Sequence, residues 1–159
     1  MKTTNIFNRI LLGSALFASL VVASCNKDDD DNNNTGVYSI SGNASGTQEN
    51  PANAETGTAT LSGTYNSNTN KLDYTINWTG LTGSATVAHF HGPAAVGVNA
   101  DPLVDITITT NGVYGAATGS VTLADSTETH LLNGNVYYNV HTLAHPDGEI
   151  RAQVITTAN

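Results

Sequence analysis

His89 and His91 are separated by one residue in the run Val87-Ala-His-Phe-His-Gly-Pro-Ala94. Side chains at i and i+2 of a β-strand leave the same face, so this pair projects together, with Phe90 on the other side. Two imidazoles so placed can share one metal ion when a neighbouring strand brings a third ligand. The run Tyr138-Asn-Val-His-Thr142 offers His141, and the turn Ala144-His-Pro-Asp-Gly148 offers His145 as a fourth. The fifth histidine, His130, stands apart from both segments. Imidazole is the ligand that copper or zinc takes where no thiolate is available, and no cysteine follows Cys25. Histidines in strands also serve as hydrogen-bonded structural groups, so the spacing leaves a metal site and a structural cluster both open. Glu149 and Arg151 share one face of a later segment. They are candidates for a cross-strand ion pair at the surface, worth under about 1 kcal/mol, or, for Glu149, for holding a histidine from behind.

The elements that must position these groups are strands. From residue 37 onward, period-two segments rich in Val, Ile, Thr and Tyr alternate with clusters of Gly, Asn, Asp and Ser. They predict strands over 37–40, 58–65, 72–78, 85–91, 103–109, 115–123, 136–142 and 149–155. Only 125–132 breaks the rhythm, and it predicts a short helix with Asp125 or Ser126 as N-cap. About eight strands with frequent turns imply an all-β domain, an antiparallel sandwich or a flattened Greek-key barrel, over residues 37–157. Its core is expected around Leu72, Ile76, Trp78, Ile106, Val121, Val140 and Ile150. A domain of this size folds on a single core, and it is expected to be a monomer.

The front of the chain indicates a compartment. Lys2 and Arg9 precede the apolar run Ile10 to Ala23, which is shorter than the roughly 20 residues a spanning helix needs and fits a secretory leader over residues 1–24. It ends in Val22-Ala-Ser-Cys25, which resembles the bacterial lipobox. That resemblance implies acylation of Cys25, including palmitate, and an outer-membrane lipoprotein of the cell envelope, attached through its lipid. Residues 25–36 hold four consecutive aspartates and read as a solvated acidic tether. An acidic run just after Lys27 also looks like the surface-export signal of some lipoproteins. Beyond the leader, three basic residues (Lys27, Lys71, Arg151) face thirteen acidic ones, hence a formal charge of −10. Nucleic acid is therefore not a partner, because its binding is driven by basic side chains on phosphate.

In order along the chain, Gln48-Glu-Asn-Pro51, Ala88-His-Phe-His-Gly-Pro-Ala94, Tyr138-Asn-Val-His-Thr142 and Gly148-Glu-Ile-Arg-Ala-Gln-Val154 resemble the chordin-type (CHRD) domain. The resemblance spans nearly all of 37–155 and implies an immunoglobulin-like β-fold without implying a reaction. A fainter similarity links the H-x-H strand and the later histidine to the copper side of copper–zinc superoxide dismutase, where His89, His91 and His141 match copper ligands. The bridging histidine has no counterpart, the zinc-loop histidines are missing from 92–103, and no disulfide is possible. The reading that follows is a lipid-anchored binding module rather than a conventional enzyme, with copper or zinc at the histidines. The competing reading is an adhesion module with structural histidines, whose partner is a protein or glycan. A dismutase-like redox enzyme ranks last.

The leader generates a direct expectation. Full-length protein should sediment with membranes and gain the mass of its acyl chains, because multiple chains anchor stably where one does not. Cys25→Ser should lose both, as read by fractionation and mass spectrometry.

Overall fold

The computed structural model describes residues 36–159; the leader, Cys25 and most of the acidic tether fall outside the described residues. The described residues form ten strands, one α-helix and a short 3-10 turn at Gly46–Gln48: β1 (Val37–Ser45), β2 (Thr58–Asn66), β3 (Lys71–Thr79), β4 (Ala85–His91), β5 (Pro102–Asp105), β6 (Ile108–Thr110), β7 (Gly115–Thr122), α1 (Asp125–Leu132), β8 (Tyr137–Thr142), β9 (Ile150–Gln153) and β10 (Ile155–Ala158). Every strand pairing is antiparallel. The strand order is β5-β4-β8-β9-β1-β2-β3-β7-β6, with β10 pairing to β1 beside β9.

The alternating pattern does what its period demands. In the β2–β3 hairpin one face buries Ala59, Leu61 and Tyr65 from β2 with Leu72, Tyr74, Ile76 and Trp78 from β3. The turn between them places Asn70 at φ 55, a left-handed position that asparagine tolerates better than most residues. Across the core, Phe90 of β4 meets Tyr74 edge-on at 5.3 Å and Tyr138 of β8 at 6.4 Å. Tyr138 donates its hydroxyl to Gly42 O and Ala59 O, 3.1 and 3.3 Å away. These contacts join the two halves of one curled sheet into a sandwich-like domain.

The all-β antiparallel expectation holds, and the strand count rises from eight to ten for a physical reason. Residues 103–109 are not one strand. Ile106 is buried and its N–H donates to Ala88 O, while Thr107 N–H donates to Tyr74 Oη. The chain thus leaves one end of the sheet as β5 and joins the other end as β6 within two residues, which curls the sheet onto itself. Residues 149–155 divide at buried Val154, whose N–H still follows the β8–β9 register to Val136 O before Ile155 crosses to β1. That break lets β9 pair mainly with β8 and β10 with β1. The helix lies at 125–132 as expected, but Ala124 is its N-cap and supplies no side-chain bond. Asp125 sits instead in the first turn, where a carboxylate favours the helix dipole, and it accepts from Asn70 Nδ2 at 2.9 Å. Val121 lies at the margin of the core rather than within it.

Glu149 and Arg151 form no surface ion pair. Glu149 follows Gly148, at φ +126, and precedes β9, so strand alternation does not reach it. Its carboxylate is fully buried and accepts from Thr82 N–H at 2.7 Å, Thr82 Oγ1 at 2.6 Å and Thr142 Oγ1 at 2.6 Å. It therefore clamps the β3–β4 connection to the end of β8 and backs no histidine. Arg151, also buried, donates to Asn99 Oδ1 and Val98 O and lies 3.4 Å above the Tyr137 ring. Removing the clamp orphans the buried Thr142 hydroxyl, at about 1–3 kcal/mol, and frees two donors of exposed Thr82 to water while leaving a cavity where the carboxylate was. Glu149→Ala should lower unfolding free energy by ~2–4 kcal/mol in urea titration, and Glu149→Gln, which keeps one acceptor oxygen, by less.

Candidate metal centre

The sheet carries its core on one face and a polar array on the other. Antiparallel register sets Asp105 of β5, His89 of β4, Asn139 of β8 and Arg151 of β9 opposite one another in succession. One step along, His91 faces Tyr137, and one step the other way Val87 faces His141. Ala88, Phe90, Tyr138 and Val140 alternate with these residues and point into the core. All six residues of β8 are buried, since loops bearing Ala100 and Pro146 cover its outer side.

His89, His91 and His141 come together: one nitrogen from each lies within 4.8 Å of the others. His89 Nδ1 is 3.3 Å from His141 Nε2. Asn139 Oδ1 is 2.9 Å from both His91 Nε2 and His141 Nε2. His91 and His141 are 6% and 7% exposed, so solvent reaches the cluster chiefly past His89.

The outer nitrogens are already assigned. His91 Nδ1 lies 2.9 Å from Ala100 O, and His141 Nδ1 lies 2.9 Å from Pro146 O. A carbonyl only accepts, so each Nδ1 carries a proton and donates it. Burial, outweighing those favourable contacts, holds both imidazoles below their ordinary 6.5. A neutral imidazole with Nδ1–H has a bare lone pair on Nε2, so both Nε2 lone pairs face inward. His89 has no such partner: its Nε2 stands 3.7 Å from the exposed Asp105 Oδ1, beyond hydrogen-bond reach, and its Nδ1 is the atom turned to His141 Nε2 at 3.3 Å. For His91 and His141, such fixing of the remote nitrogen by a carbonyl is how proteins prepare histidines for metals.

Residues that the sequence did not mark complete the surroundings. Tyr137 stacks on the His91 ring at 4.7 Å with an interplanar angle of 1°, and its hydroxyl reaches Ala100 O at 3.3 Å. Arg151 covers the other side of Tyr137 and holds the loop at Val98 and Asn99. Glu49, in the Gln48-Glu-Asn-Pro51 run, is 8% exposed, and its Oε1 has no hydrogen bond of its own. Burial raises its carboxyl to about 7, against the opposing pull of Arg151 and of the Asn139 amide. A cleft lined by Glu49, Asn50, His91, Tyr137, Asn139 and Asp147 opens beside the cluster. The signal for Asn139 and Tyr137 was available, because 137, 139 and 141 share a strand face. Glu49 was marked only as part of the Gln48-Glu-Asn-Pro51 run, with nothing local to place it beside the histidines.

His145 does not join the three. It sits in the turn after β8, where Thr142 and His145 exchange backbone hydrogen bonds, and its Nε2 faces Glu55 Oε1 at 3.2 Å. His130 belongs to α1, and neither Glu149 nor Arg151 touches a histidine of the cluster among their hydrogen bonds.

A curled antiparallel sheet with three convergent imidazoles on its outer face defines an all-β domain with a candidate metal centre. The chain belongs to the CHRD domain family, whose model matches residues 40–154. No curated protein and no solved structure matches it.

The buried carboxyl of Glu49 generates a pH prediction. A folded value raised to about 7 from 4.5 means that its contribution is most favourable below 4.5 and is lost as pH rises through 7. His91 and His141 act in the opposite sense, losing stability as pH falls from 6.5 through their depressed folded values. Glu49→Gln should therefore gain stability relative to the parent between pH 5 and pH 8, by up to about 3 kcal/mol. Urea titrations of both proteins at the two pH values measure that difference.

Proposed function

We propose that this protein is a cell-envelope, lipid-anchored binding module that takes a transition-metal ion, copper before zinc, at His89, His91 and His141. The observation that carries the reading is the convergence of three imidazole nitrogens, two of them turned inward by the carbonyl partners of their remote nitrogens. Imidazole donors without thiolate or a cluster of carboxylates suit copper or zinc better than calcium or magnesium. The lipid anchor and envelope location rest on the leader sequence. The adhesion reading, with a protein or glycan partner, is favoured by one contact: at 3.3 Å His89 Nδ1 can donate to His141 Nε2 and leave that pair satisfied without an ion.

Calorimetric titration with copper(II) and zinc(II) of a tag-free domain beginning near Thr35 separates the two. About one ion per domain should bind and raise the melting temperature by mass action. His91→Ala and His141→Ala should each lose more than the roughly 10–100-fold that removing a mere supporting partner costs. His130→Ala and His145→Ala should bind as the parent does. Because burial depresses two of the ligands, proton competition should set in below 6.5 rather than at it. If the parent binds no better than a His89→Ala, His91→Ala double variant, the histidines are structural and the adhesion module stands.

A further inference from the structure

We infer that Asn139 is a fourth ligand of this centre, donating through Oδ1, and that Glu49 holds the amide in the orientation this requires. The inference rests on the metal-binding reading above and goes beyond it by completing the donor set.

Asn139 is 2% exposed, and its Oδ1 stands 2.9 Å from two imidazole nitrogens at once. Those nitrogens are Nε2 of His91 and His141, whose Nδ1 protons are committed to Ala100 O and Pro146 O. An amide oxygen facing two lone pairs is repelled by both. A cation between the three atoms turns the same geometry into an attractive one.

The two Asn139 approaches fit joint coordination. The imidazole nitrogens, spread over 4.8 Å, must draw together to share one ion, since two metal–ligand bonds span at most about 4.1 Å. Ligands on metal bonds of about 2.05 Å stand roughly 2.9 Å apart at right angles and roughly 3.3 Å apart at tetrahedral angles. Both Asn139 approaches match the right-angle value, whereas the 3.3 Å between His89 Nδ1 and His141 Nε2 matches the tetrahedral one. The spacing by itself therefore does not choose between tetragonal copper(II) and tetrahedral zinc.

Glu49 explains why the oxygen points inward. Its buried Oε1 lacks a hydrogen bond, and it approaches Asn139 beside Gly148. A Cβ at Gly148 would fall on Glu49 Oε1 and lie 2.8 Å from Asn139 Nδ2. The glycine thus leaves open the space that the two groups share. Nδ2 is the end of the amide turned to the carboxyl. That end is the N–H donor, and the same placement leaves Oδ1 directed at the histidines.

The test compares Asn139→Asp, which keeps an oxygen donor, with Asn139→Leu, which keeps the size and removes the donor. Thermal melts of the metal-free proteins establish that each folds. Glu49→Gln, Asn139→Asp serves where the single Asp variant is destabilised by its like-charged neighbour. Calorimetry with copper(II) should show the Asp form binding at least as tightly as the parent and the Leu form at least tenfold more weakly. The copper(II) spin-resonance spectrum of the Asp form should also change, since an anionic oxygen replaces a neutral one on the metal. Equal affinity and identical spectra across parent, Asp and Leu forms would remove Asn139 from the ligand set while the three-histidine centre stands. Equal weakening of Asp and Leu forms would reduce Asn139 to a packing role. A parent that binds no copper would overturn the metal-binding reading itself, and this inference with it.

Discussion

The register between β4 and β8 is the constraint on which the site depends. Because side chains alternate, pairing His89 with Asn139 puts Phe90 opposite Tyr138 in the core and every polar partner on the other face. A slip of one residue would drive the imidazoles into the apolar interior and expose Phe90. The core therefore enforces the site: burying Ala88, Phe90, Tyr138 and Val140 specifies where His89, His91, Asn139 and His141 must stand. β5 and β9 extend the same register outward, which brings Asp105 to one end of the row and Arg151 to the other.

A polar face of this kind is ordinarily left to water, yet here β8 is buried on both sides. Burying polar groups costs free energy unless each finds a partner. The covering loops provide those partners through their own backbone. Ala100 O takes the His91 proton, Pro146 O takes that of His141, and Val98 O takes an Arg151 proton. Arg151 thereby fixes the loop whose neighbouring carbonyl fixes His91. Tyr137 lies between them, stacked on the imidazole and covered by the guanidinium. Orientation of the cluster is a property of this chain of contacts as much as of the strands.

What could be read from the sequence is what strand periodicity carries. The H-x-H pair on one strand face, the all-β class and the bounds of α1 follow from period two and its interruption, whereas the pairing of β4 with β8 that brings His141 to the pair is set by the fold. Residues just outside regular strands could not be read the same way. His145 and Glu149 sit in or beside the turn after β8, where alternation lapses, and they face Glu55 and the threonine pair instead. The segment 103–109 has strand composition throughout. Its break at Ile106 comes from curling of the sheet, a tertiary demand with no local signature. Asn139 was overlooked for a chemical reason, since a search for imidazoles and thiols passes over an amide. Glu49 lies far away in sequence and becomes relevant only once Gly148 lets it approach.

The charges around the cluster fit a ligand set that is itself neutral. Three neutral imidazoles and an amide supply electron pairs but no charge to offset a bound dication. Arg151 would oppose such a cation, and its positive charge already helps to depress His91. Two features temper that effect. The Tyr137 ring separates guanidinium from imidazole, and the Glu49 carboxyl interacts electrostatically with Arg151. Burial raises Glu49 to about 7, so near neutrality the group is only partly ionised in the metal-free protein. A cation arriving beside Asn139 would favour its carboxylate, since an opposite charge nearby stabilises the ionised form. Arg151 can then be retained for its loop contacts, because the same carboxyl that interacts with it gains negative charge as the centre gains positive charge.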